Sequence, residues 1–572
     1  MLHHTTKDYP ESSQDAINNG LDVIFQTDYS HHKLFDPHFY DGGIAQERIN
    51  DAVARVLSAK FELGLFDNPY VDEKEAAKAY PHKPIAKQAA LEAMVLLKND
   101  NRTLPLSAKK IAVLGADAAE ARLGGYSGPG VRKISIADGL KEKLGNNAIT
   151  FAPGPGRAEH AWEVLPAAQL GHYEGNSLKK GLQVSIYDNI NLQGSAIQTG
   201  IDDKIDQYWT FMRPSEKLQQ DFYSIKWEGV FTADSTGAYK IGLSGNDGYR
   251  LYLDNQLLID NWTKKSFSTQ LVSHPFEKGK NYQLKVEFFE PVSNGKIQLI
   301  WEKQDQREAQ LRAAISTARN ADAVVVVAGI EEGEFRDRAM LTLPGMQEQL
   351  IQSVAALGKP VTVVLIGGSA ITMNSWKDKV NSILMAWYPG EEGGRAVAEV
   401  LTGAYNPGGK LPVTFPVHEA QLPLAYNHLP TGRGDDYNNL SGRPLFPFGF
   451  GLSYTSFAYS NLQLAKTTIG QGESVTLRFE LKNTGKVAGE EVPQLYIRDN
   501  LASLAQPVMA LKGFQRVKLA PGETRTISFT ITPELLRMLN KDMQWVVEPG
   551  AFTIMIGASA ADVRLSELLT VK

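Results

Sequence analysis

The chain has 572 residues, and single hydrophobic cores rarely grow beyond about 250–300 residues, so we expect three or four domains. Hydrophobic residues make up 43% and charged residues 22%, which is ordinary for a globular protein. The net charge of −5 gives no reason to expect nucleic acid or an anionic membrane as a partner. No apolar run reaches the roughly 18 residues of a membrane-spanning helix. The absence of cysteine excludes disulfides, thiolate metal sites and a cysteine nucleophile.

The first segment predicts only a few elements. Ala16 to Phe25 indicates the end of a helix, a turn at Gly20 and a short strand that contains Asp22. Ala45 to Leu63 predicts a helix that ends at Gly64. Its apolar residues share one face: Ile49, Ala52, Val53, Val56 and Leu57. These few elements cannot bury a hydrophobic core by themselves. They must therefore complete a larger α/β unit or pack against the rest of the chain.

Two later segments alternate helices with short buried strands. Val324 to Val327 is a run of four valines, which is typical of a strand buried on both faces of a parallel sheet. The pattern predicts helices from Pro344 and over Gly393 to Leu401. It predicts strands at Ile111–Leu114, Ala323–Ala328, Val361–Ile366 and Ile383–Ala386. This alternation indicates a mostly parallel sheet with helices on both faces.

Near residue 160 the pattern changes to strands alone. The predicted strands are Ser224–Gly229, Ala238–Leu243, Tyr249–Leu253, Leu257–Asp260, Tyr282–Phe289 and Lys296–Trp301. Short alternating strands separated by turns indicate a β-sandwich, here inserted between the two parts of one α/β domain. After residue 457 strands follow again: Ser474–Lys482, Val492–Arg498, Thr524–Ile531 and Ala551–Ile556.

The loop between the valine strand and the following helix contains three glutamates, Glu331, Glu332 and Glu334. Loops beyond the carboxyl ends of parallel strands are where open α/β sheets bind ligands. A carboxylic acid held there can act as a proton donor. The residues alone do not single out one glutamate. Solvated loop charges paired with Arg336 and Arg338 are the alternative, which we favour for Glu331 and Glu332.

A glycine-rich loop, LGGYSGPG, spans Leu123 to Gly130. It has neither the Lys-Ser/Thr of a P-loop nor the GxGxxG fingerprint, which argues against a nucleotide site. We interpret its glycines as positions where the backbone approaches a neighbouring domain or a sugar.

Several stretches resemble glycoside hydrolase family 3, in the order in which the family has them. They are RINDAVARVLSAKFELGLFDNPYVD (Arg48–Asp72), AALEAMVLLKNDNRTLPL (Ala89–Leu106), DRAMLTLPG, WYPGEEGGRAVAEVLTGAYNPGGKLPVTFP (Trp387–Pro416) and PFGFGLSYTSF (Pro447–Phe457). The stretch IKWEGVFTADSTGAYKIGLSGNDGYRLYLDNQLLIDNW resembles a protective-antigen-type β-sandwich, and KNTGKVAGEEVPQLYI resembles a fibronectin type III-like domain.

The resemblance implies a multidomain fold, α/β plus all-β. Residues 1–75 would be the C-terminal remnant of a TIM-type (β/α) barrel with its linker. Residues 76–159 and 304–430 would form an α/β sandwich domain with a mostly parallel sheet. Residues 160–303 would be the inserted β-sandwich, 431–456 a linker, and 457–572 the fibronectin type III-like domain.

The resemblance also implies an activity. Family members hydrolyse terminal β-linked sugars with retention, using an aspartate nucleophile and a glutamate acid/base about 5–5.5 Å apart. The acid/base is implied to be Glu334, three residues before Asp337 in the Asp-Arg-x-x-Leu-x-Leu-Pro-Gly motif. Glu331 and Glu332 are the alternatives. The expected substrate is a glucosyl or xylosyl oligosaccharide or an aryl β-glycoside, with no nucleic acid or membrane partner.

The family's nucleophile lies in a Ser-Asp-Trp or Ser-Asp-Cys motif, and residues 1–30 contain neither. Asp8, Asp22 and Asp28 therefore do not match it. We expect this chain to supply only the acid/base half of the site and to be inactive alone. The N-terminus shows no signal-peptide pattern, and export to the periplasm or medium is expected only for a full-length parent.

The alternative function is a non-catalytic carbohydrate-binding protein that uses the inserted sandwich. The aromatic residues that could stack on sugar rings are Trp227, Tyr249, Tyr252 and Trp262, although strand-alternating aromatic residues are more often core. Asn246 and Asp247 take the general place of a calcium site in some lectins of this type. Asp254 and Asp260 are scattered, so we expect no metal and no cofactor. We interpret Trp387 to Gly390 as structural.

Overall fold

The computed structural model describes residues 5–25, 32–78, 83–209, 214–218, 222–265, 267–291, 295–303, 306–333, 337–432 and 434–572. The chain divides into two compact units. The first contains residues 1–80 and 161–305, and the second contains residues 81–160 and 306–572. In the described ranges no helix has both the length and the apolar character needed to cross a membrane.

The second unit contains a six-stranded sheet. Its order is Val95–Asn99, Ser382–Met385, Val361–Ile366, Ala323–Gly329, Ile111–Leu114 and Ile149–Ala152. All neighbours are parallel except the edge strand Val95–Asn99, which pairs antiparallel with Ser382–Met385. The strand at Ala323–Gly329 is buried along its whole length, as the run of valines predicts.

Helices cover both faces of this sheet, and alternate valines of the central strand explain why. Successive strand side chains point to opposite faces. Val324 and Val326 pack in one core with helices Arg307–Arg319 and Gln347–Ala355. On the opposite face, the second core combines Val325 and Val327 with the helices Lys83–Ala93, Ile136–Leu144 and Gly393–Thr402.

Two of these helices meet through glycine. A Cβ on Gly139, within Ile136–Leu144, would lie 2.1 Å from the carbonyl oxygen of Gly394 in the neighbouring helix. We expect Gly139→Ala to destabilise this unit by about 2 kcal/mol, because overpacking of about 3 kcal/mol outweighs the roughly 1 kcal/mol gain in helix propensity. Calorimetry should show the destabilisation as a lower midpoint temperature of this unit's unfolding transition than in the unmodified protein.

Gly128→Ala is the matched control. A Cβ on Gly128 would meet nothing within 4 Å, so this variant should unfold at the midpoint of the unmodified protein. Equal midpoints for the two alanine variants would contradict the close helix contact.

The helix predicted from Pro344 begins later, at Gln347. Gly345 has φ of +66°, which is incompatible with a right-handed helix, and a Cβ there would lie 2.8 Å from the carbonyl oxygen of Arg157. Pro344 and Gly345 therefore belong to a turn that precedes the helix. The apolar residues Leu350, Ile351 and Val354 are buried, as their helical spacing predicts.

The C-terminal part of the second unit consists almost entirely of strands. They are Phe457–Leu464, Thr468–Ile469, Val475–Asn483, Gly489–Glu491, Gln494–Asp499, Ala510–Phe514, Val517–Leu519, Thr524–Ile531, Met538–Leu539, Trp545–Val546, Gly550–Ser559 and Asp562–Val571. A three-stranded and a five-stranded sheet enclose one apolar core that includes Leu477, Phe479, Leu495 and Ile554. The prediction of α/β plus all-β architecture is confirmed.

The first unit contains a β-sandwich. One sheet is formed by Leu170–Glu174, Ser177–Lys180, Leu182–Tyr187, Gln198–Asp202, Tyr223–Thr232, Gly248–Leu253, Gln256–Asn261 and Asn281–Glu290. The other is formed by Glu163–Val164, Asp206–Tyr208, Gly237–Gly245, Ser268–Phe276 and Lys296–Glu302. The six predicted strands are present. The strands at 163–208 and Ser268–Phe276 were not predicted, and one of them, Ser177–Lys180, is exposed along its whole length.

The N-terminal segment of the first unit is helical where it is described: Tyr9–Asn18, His32–Phe35, Pro37–Tyr40, Gln46–Glu62 and Glu73–Lys78. The short strand predicted around Asp22 is wrong, since residues 21–25 have no strand pairing in the described part of the chain. This stretch instead contacts the helix Gln46–Glu62, where Arg48 donates to the carbonyl of Leu21 at 3.0 Å and to the Asp22 carboxylate at 2.6 Å.

Candidate active site

The carboxyl ends of the parallel strands meet at one edge of the α/β sheet, where open sheets of this type bind ligands. The loops that follow Ile111–Leu114, Ala323–Gly329 and Ser382–Met385 line a cavity of about 260 Å³. Its lining residues are Arg122, Leu123, Gly124, Gly125, Ser127, Gly128, Pro129, Lys133, Glu331, Glu332 and Tyr388. The glutamate loop predicted from the sequence therefore borders a cavity.

Glu332 is half-buried and fixed by two donors. Its Oε2 atom accepts a hydrogen bond from the Tyr388 hydroxyl at 3.0 Å and another from the Gly368 backbone N–H at 2.5 Å. Burial, and then the Glu332 carboxylate, raise the pKa of Tyr388 to about 12. Tyr388 therefore keeps its proton near neutral pH and remains a donor to Glu332.

Glu331 is exposed, and its Oε1 lies 3.5 Å from Nη2 of Arg157. Arg157 also contacts Glu120 at 2.7 Å and the buried Asp117 at 2.8 Å. Burial raises the pKa of Asp117, and the guanidinium groups of Arg122 and Arg157 oppose that shift. Glu331 thus lies at the solvent side of a charge cluster whose centre is buried.

Arg122 connects this cluster to the start of the glutamate loop. Its Nε donates to Asp117 Oδ1 at 2.5 Å, and its Nη1 donates to the carbonyl oxygen of Ile330 at 2.7 Å. Its guanidinium also lies 5.8 Å from the centre of the Tyr388 ring. A Cβ on Gly329 would lie 2.5 Å from Arg122 Nη2, so glycine at the strand end lets this arginine reach the loop.

Glu334 and Arg336 lie outside the described residues. The described chain resumes with Asp337, which is exposed, and Arg338, whose Nη2 donates to Ser369 Oγ at 3.0 Å. Burial lowers the pKa of Arg338, and Glu332 opposes the shift. Both described flanks of Glu334 therefore contact the loop that follows strand Val361–Ile366.

The glycine-rich loop approaches the glutamate loop. A Cβ on Gly125 would lie 2.1 Å from the carbonyl oxygen of Glu332, and one on Gly124 would lie 3.3 Å from the Tyr388 ring. The glycines of this loop therefore permit close backbone contact with the segment that precedes Glu334.

The four aromatic residues of the sandwich that we considered for stacking on sugar rings are either buried or covered by a cation. Trp227 and Tyr249 are 0% exposed, so neither ring presents a face to solvent. The half-buried Tyr252 and Trp262 are each covered by a cation, Lys285 Nζ at 3.7 Å from the Tyr252 ring centre and the Arg250 guanidinium at 4.5 Å from the Trp262 ring.

The aspartates of the N-terminal segment have structural partners. Asp8 Oδ1 accepts from the N–H of Glu11 and caps the first helix, while Asp22 pairs with Arg48. Asp28 lies outside the described residues. In the described ranges, no group of three or more His, Cys, Asp or Glu residues is arranged to hold a metal ion.

Sequence reasoning missed the cavity residues Arg122 and Tyr388. Tyr388 belongs to the stretch Trp387 to Gly390, which we interpreted as structural. It directly follows a parallel strand, so the rule about carboxyl ends that singled out the glutamate loop could have identified it. Arg122 follows the short helix Asp117–Glu120, and only the folded chain brings it to Ile330.

Comparison with known proteins agrees with this architecture. The profile of the glycosyl hydrolase family 3 C-terminal domain matches residues 94–454, and that of the fibronectin type III-like domain matches residues 491–560. The first match covers more than half of the chain.

Curated relatives include a β-xylosidase from Formosa agariphila, 33% identical over 92% of this chain, and a periplasmic β-glucosidase from Salmonella typhimurium, 29% identical over 99%. The chain spans 55% and 61% of the length of these two relatives.

Among solved structures, a β-glucosidase from Erythrobacter marinus is 27% identical, with a TM-score of 0.70 over 100% of this chain and 61% of its own. A β-glucosidase from Listeria innocua in complex with laminaribiose has a TM-score of 0.68 at 24% identity over 100% of this chain and 61% of its own, which shows the shared fold. The chain therefore belongs to glycosyl hydrolase family 3, of which it carries the C-terminal domain followed by a fibronectin type III-like domain.

Proposed function

We propose that this chain supplies the acid/base half of a retaining glycoside hydrolase that removes terminal β-linked glucosyl or xylosyl residues from short oligosaccharides. The observation that carries the proposal is the glutamate loop at the cavity on the carboxyl edge of the sheet. Glu334, which follows the cavity residues Glu331 and Glu332 in sequence, is the proposed proton donor.

The contacts of the neighbouring glutamates support this choice. Glu332 Oε2 accepts hydrogen bonds from the Gly368 N–H and the Tyr388 hydroxyl, so this atom is directed at the protein and not at a substrate. Glu331 is exposed, as a solvated loop charge would be, but it lies against Arg157, a cation other than the predicted Arg336 and Arg338. Neither arrangement is that of a proton donor held toward a substrate, and Glu334 has the position that the family motif gives to the acid/base.

The second carboxyl group would come from a barrel. A retaining mechanism needs a nucleophile about 5–5.5 Å from the acid/base. We assign residues 1–75 to the C-terminal end of such a barrel, and the exposure of one helix supports this. On Gln46–Glu62, Val53 is 48%, Leu57 is 39% and Phe61 is 65% exposed, at a spacing of four residues. A stripe of this kind suits packing against a further layer of structure.

The relatives guide the finer assignments. One is named β-xylosidase and another periplasmic β-glucosidase, so glucosides and xylosides are both candidate substrates, and a periplasmic or secreted location is proposed for the whole protein. The two antiparallel sheets of the first unit support assigning 160–303 to a protective-antigen-type sandwich. Its buried or cation-covered aromatic residues do not favour a separate sugar-binding function.

The test compares this chain alone with the barrel-completed protein, meaning the chain joined to a family 3 barrel that carries the aspartate motif. We expect release of 4-nitrophenol from 4-nitrophenyl β-glucoside or β-xyloside only by the barrel-completed protein, because double displacement cannot start without its nucleophile. The control replaces the barrel aspartate by asparagine and should lose turnover. Turnover by the 572-residue chain alone that disappears in Glu334→Gln would overturn the proposal.

A further inference from the structure

We propose that Glu332 is a positioning residue that fixes the loop carrying Glu334, through its contacts with Gly368 and Tyr388. This inference rests on the proposed function, in which Glu334 is the acid/base. It assigns to Glu332 a role in geometry and not in proton transfer.

The start of the loop is fixed by the loops after three other strands. The N–H of Ile330 donates to the carbonyl of Ile366 at 3.0 Å, and Arg122 donates to the carbonyl of Ile330 at 2.7 Å. Two residues later, Glu332 accepts from Gly368 and Tyr388. These four contacts tie residues 330–332 to Ile366 and to residues that follow the strands Ile111–Leu114, Val361–Ile366 and Ser382–Met385.

Gly368, Tyr388 and Gly125 surround Glu332 closely, and we call this set of contacts the Glu332 seat. A Cβ on Gly368 would lie 3.0 Å from Glu332 Oε2, and one on Gly125 would lie 2.1 Å from the Glu332 carbonyl oxygen. A Cβ on Gly367 would lie 2.4 Å from Ile330 Cγ1. Glycine at positions 368 and 125 leaves room for the Glu332 carboxyl group and its backbone, and glycine at position 367 leaves room for the Ile330 side chain.

Position matters because proton transfer depends on geometry. A displacement of about 1 Å can cost about a hundredfold in rate. A residue that only fixes the loop should change kcat much more than KM, because it acts through the geometry of the acid/base and not through substrate binding. Its role should survive replacement by an isostere that still accepts both hydrogen bonds.

The test uses three variants of the barrel-completed protein with cellobiose or xylobiose. We expect Glu332→Ala to lower kcat by about 10- to 100-fold with KM changed less than about twofold. Glu332→Gln keeps an oxygen for the Gly368 N–H and the Tyr388 hydroxyl, so kcat should recover to within about threefold of the unmodified protein. Tyr388→Phe removes one of the two donors to Glu332, so its kcat should lie between those of Glu332→Ala and Glu332→Gln. The control Glu308→Gln changes an exposed residue of helix Arg307–Arg319.

Hydrogen exchange tests the seat directly and needs no turnover. In this chain, the backbone amide of Gly368 should exchange faster in Glu332→Ala than in Glu332→Gln, because the alanine has no acceptor for it. Exchange in the central strand Ala323–Gly329 should stay the same in both variants, which separates loss of the seat from unfolding.

The outcomes separate the two proposals. Loss of turnover in Glu332→Gln as large as in Glu332→Ala, with azide restoring turnover of 4-nitrophenyl β-glucoside by the alanine variant, would make Glu332 the acid/base and overturn its positioning role. Full activity of Glu332→Ala, or unchanged exchange at Gly368, would also overturn it. Absence of turnover in the unmodified barrel-completed protein would refute the proposed function alone, since the exchange result still decides the seat.

Discussion

Glu334→Gln should lower kcat/KM of the barrel-completed protein for cellobiose or xylobiose by about a thousandfold. A sugar hydroxyl is a poor leaving group and needs a proton as the glycosidic bond breaks. Glutamine keeps the shape of glutamate but has no acidic proton to give. Cleavage of 4-nitrophenyl β-glucoside should fall much less in the first step, because 4-nitrophenolate departs without protonation. The values of kcat/KM for the disaccharide and the aryl glycoside, which report the first step, measure the difference.

Azide provides the control for this role. In Glu334→Ala, a small anion should attack the glycosyl intermediate without a general base, so added azide should restore turnover of the aryl glycoside and yield a glycosyl azide with retained configuration. Glu308→Gln should behave as the unmodified protein, because this exposed residue lies on helix Arg307–Arg319. If the thousandfold loss falls on Glu331→Gln instead, the assignment of Glu334 is wrong.

Asp117→Asn should destabilise the second unit by about 3 kcal/mol. Asp117 is 4% exposed and contacts the guanidinium groups of Arg122 and Arg157 at 2.5 and 2.8 Å. The amide keeps the shape but removes the negative charge, which leaves two largely buried cations without their shared counterion. Amide hydrogen exchange of strand Ala323–Gly329 measures the effect, since about 3 kcal/mol corresponds to exchange more than about a hundredfold faster.

Glu120→Gln is the matched control for Asp117→Asn. Glu120 lies in the same short helix and also contacts Arg157, at 2.7 Å, but its side chain is 42% exposed. An exposed ion pair contributes less than about 1 kcal/mol, so exchange in the central strand should change less than about fivefold. Equal effects of the two substitutions would contradict the view that burial gives the Asp117 cluster its importance.

The α/β sheet was the part most readable from sequence. Strands Ile111–Leu114 and Val361–Ile366 have the predicted bounds because continuous β-branched runs suit strands buried on both faces. The C-terminal strands were readable for a related reason, since alternating apolar residues follow the two-residue period of a strand. The start of helix Gln347–Ala355 was not readable, because the left-handed turn at Gly345 depends on the backbone of Arg157.

The sequence by itself determined the fold class, the family and the loop in which the proposed acid/base lies, because these depend on local periodicity and on motifs of neighbouring residues. Only the tertiary structure decided the surroundings of that loop. Tyr388 and Glu332 are separated by 56 residues, and Arg122 and Ile330 by 208, yet each pair forms a hydrogen bond. The parallel sheet makes these contacts by gathering the carboxyl ends of distant strands at one edge, and no local pattern specifies which of their side chains meet.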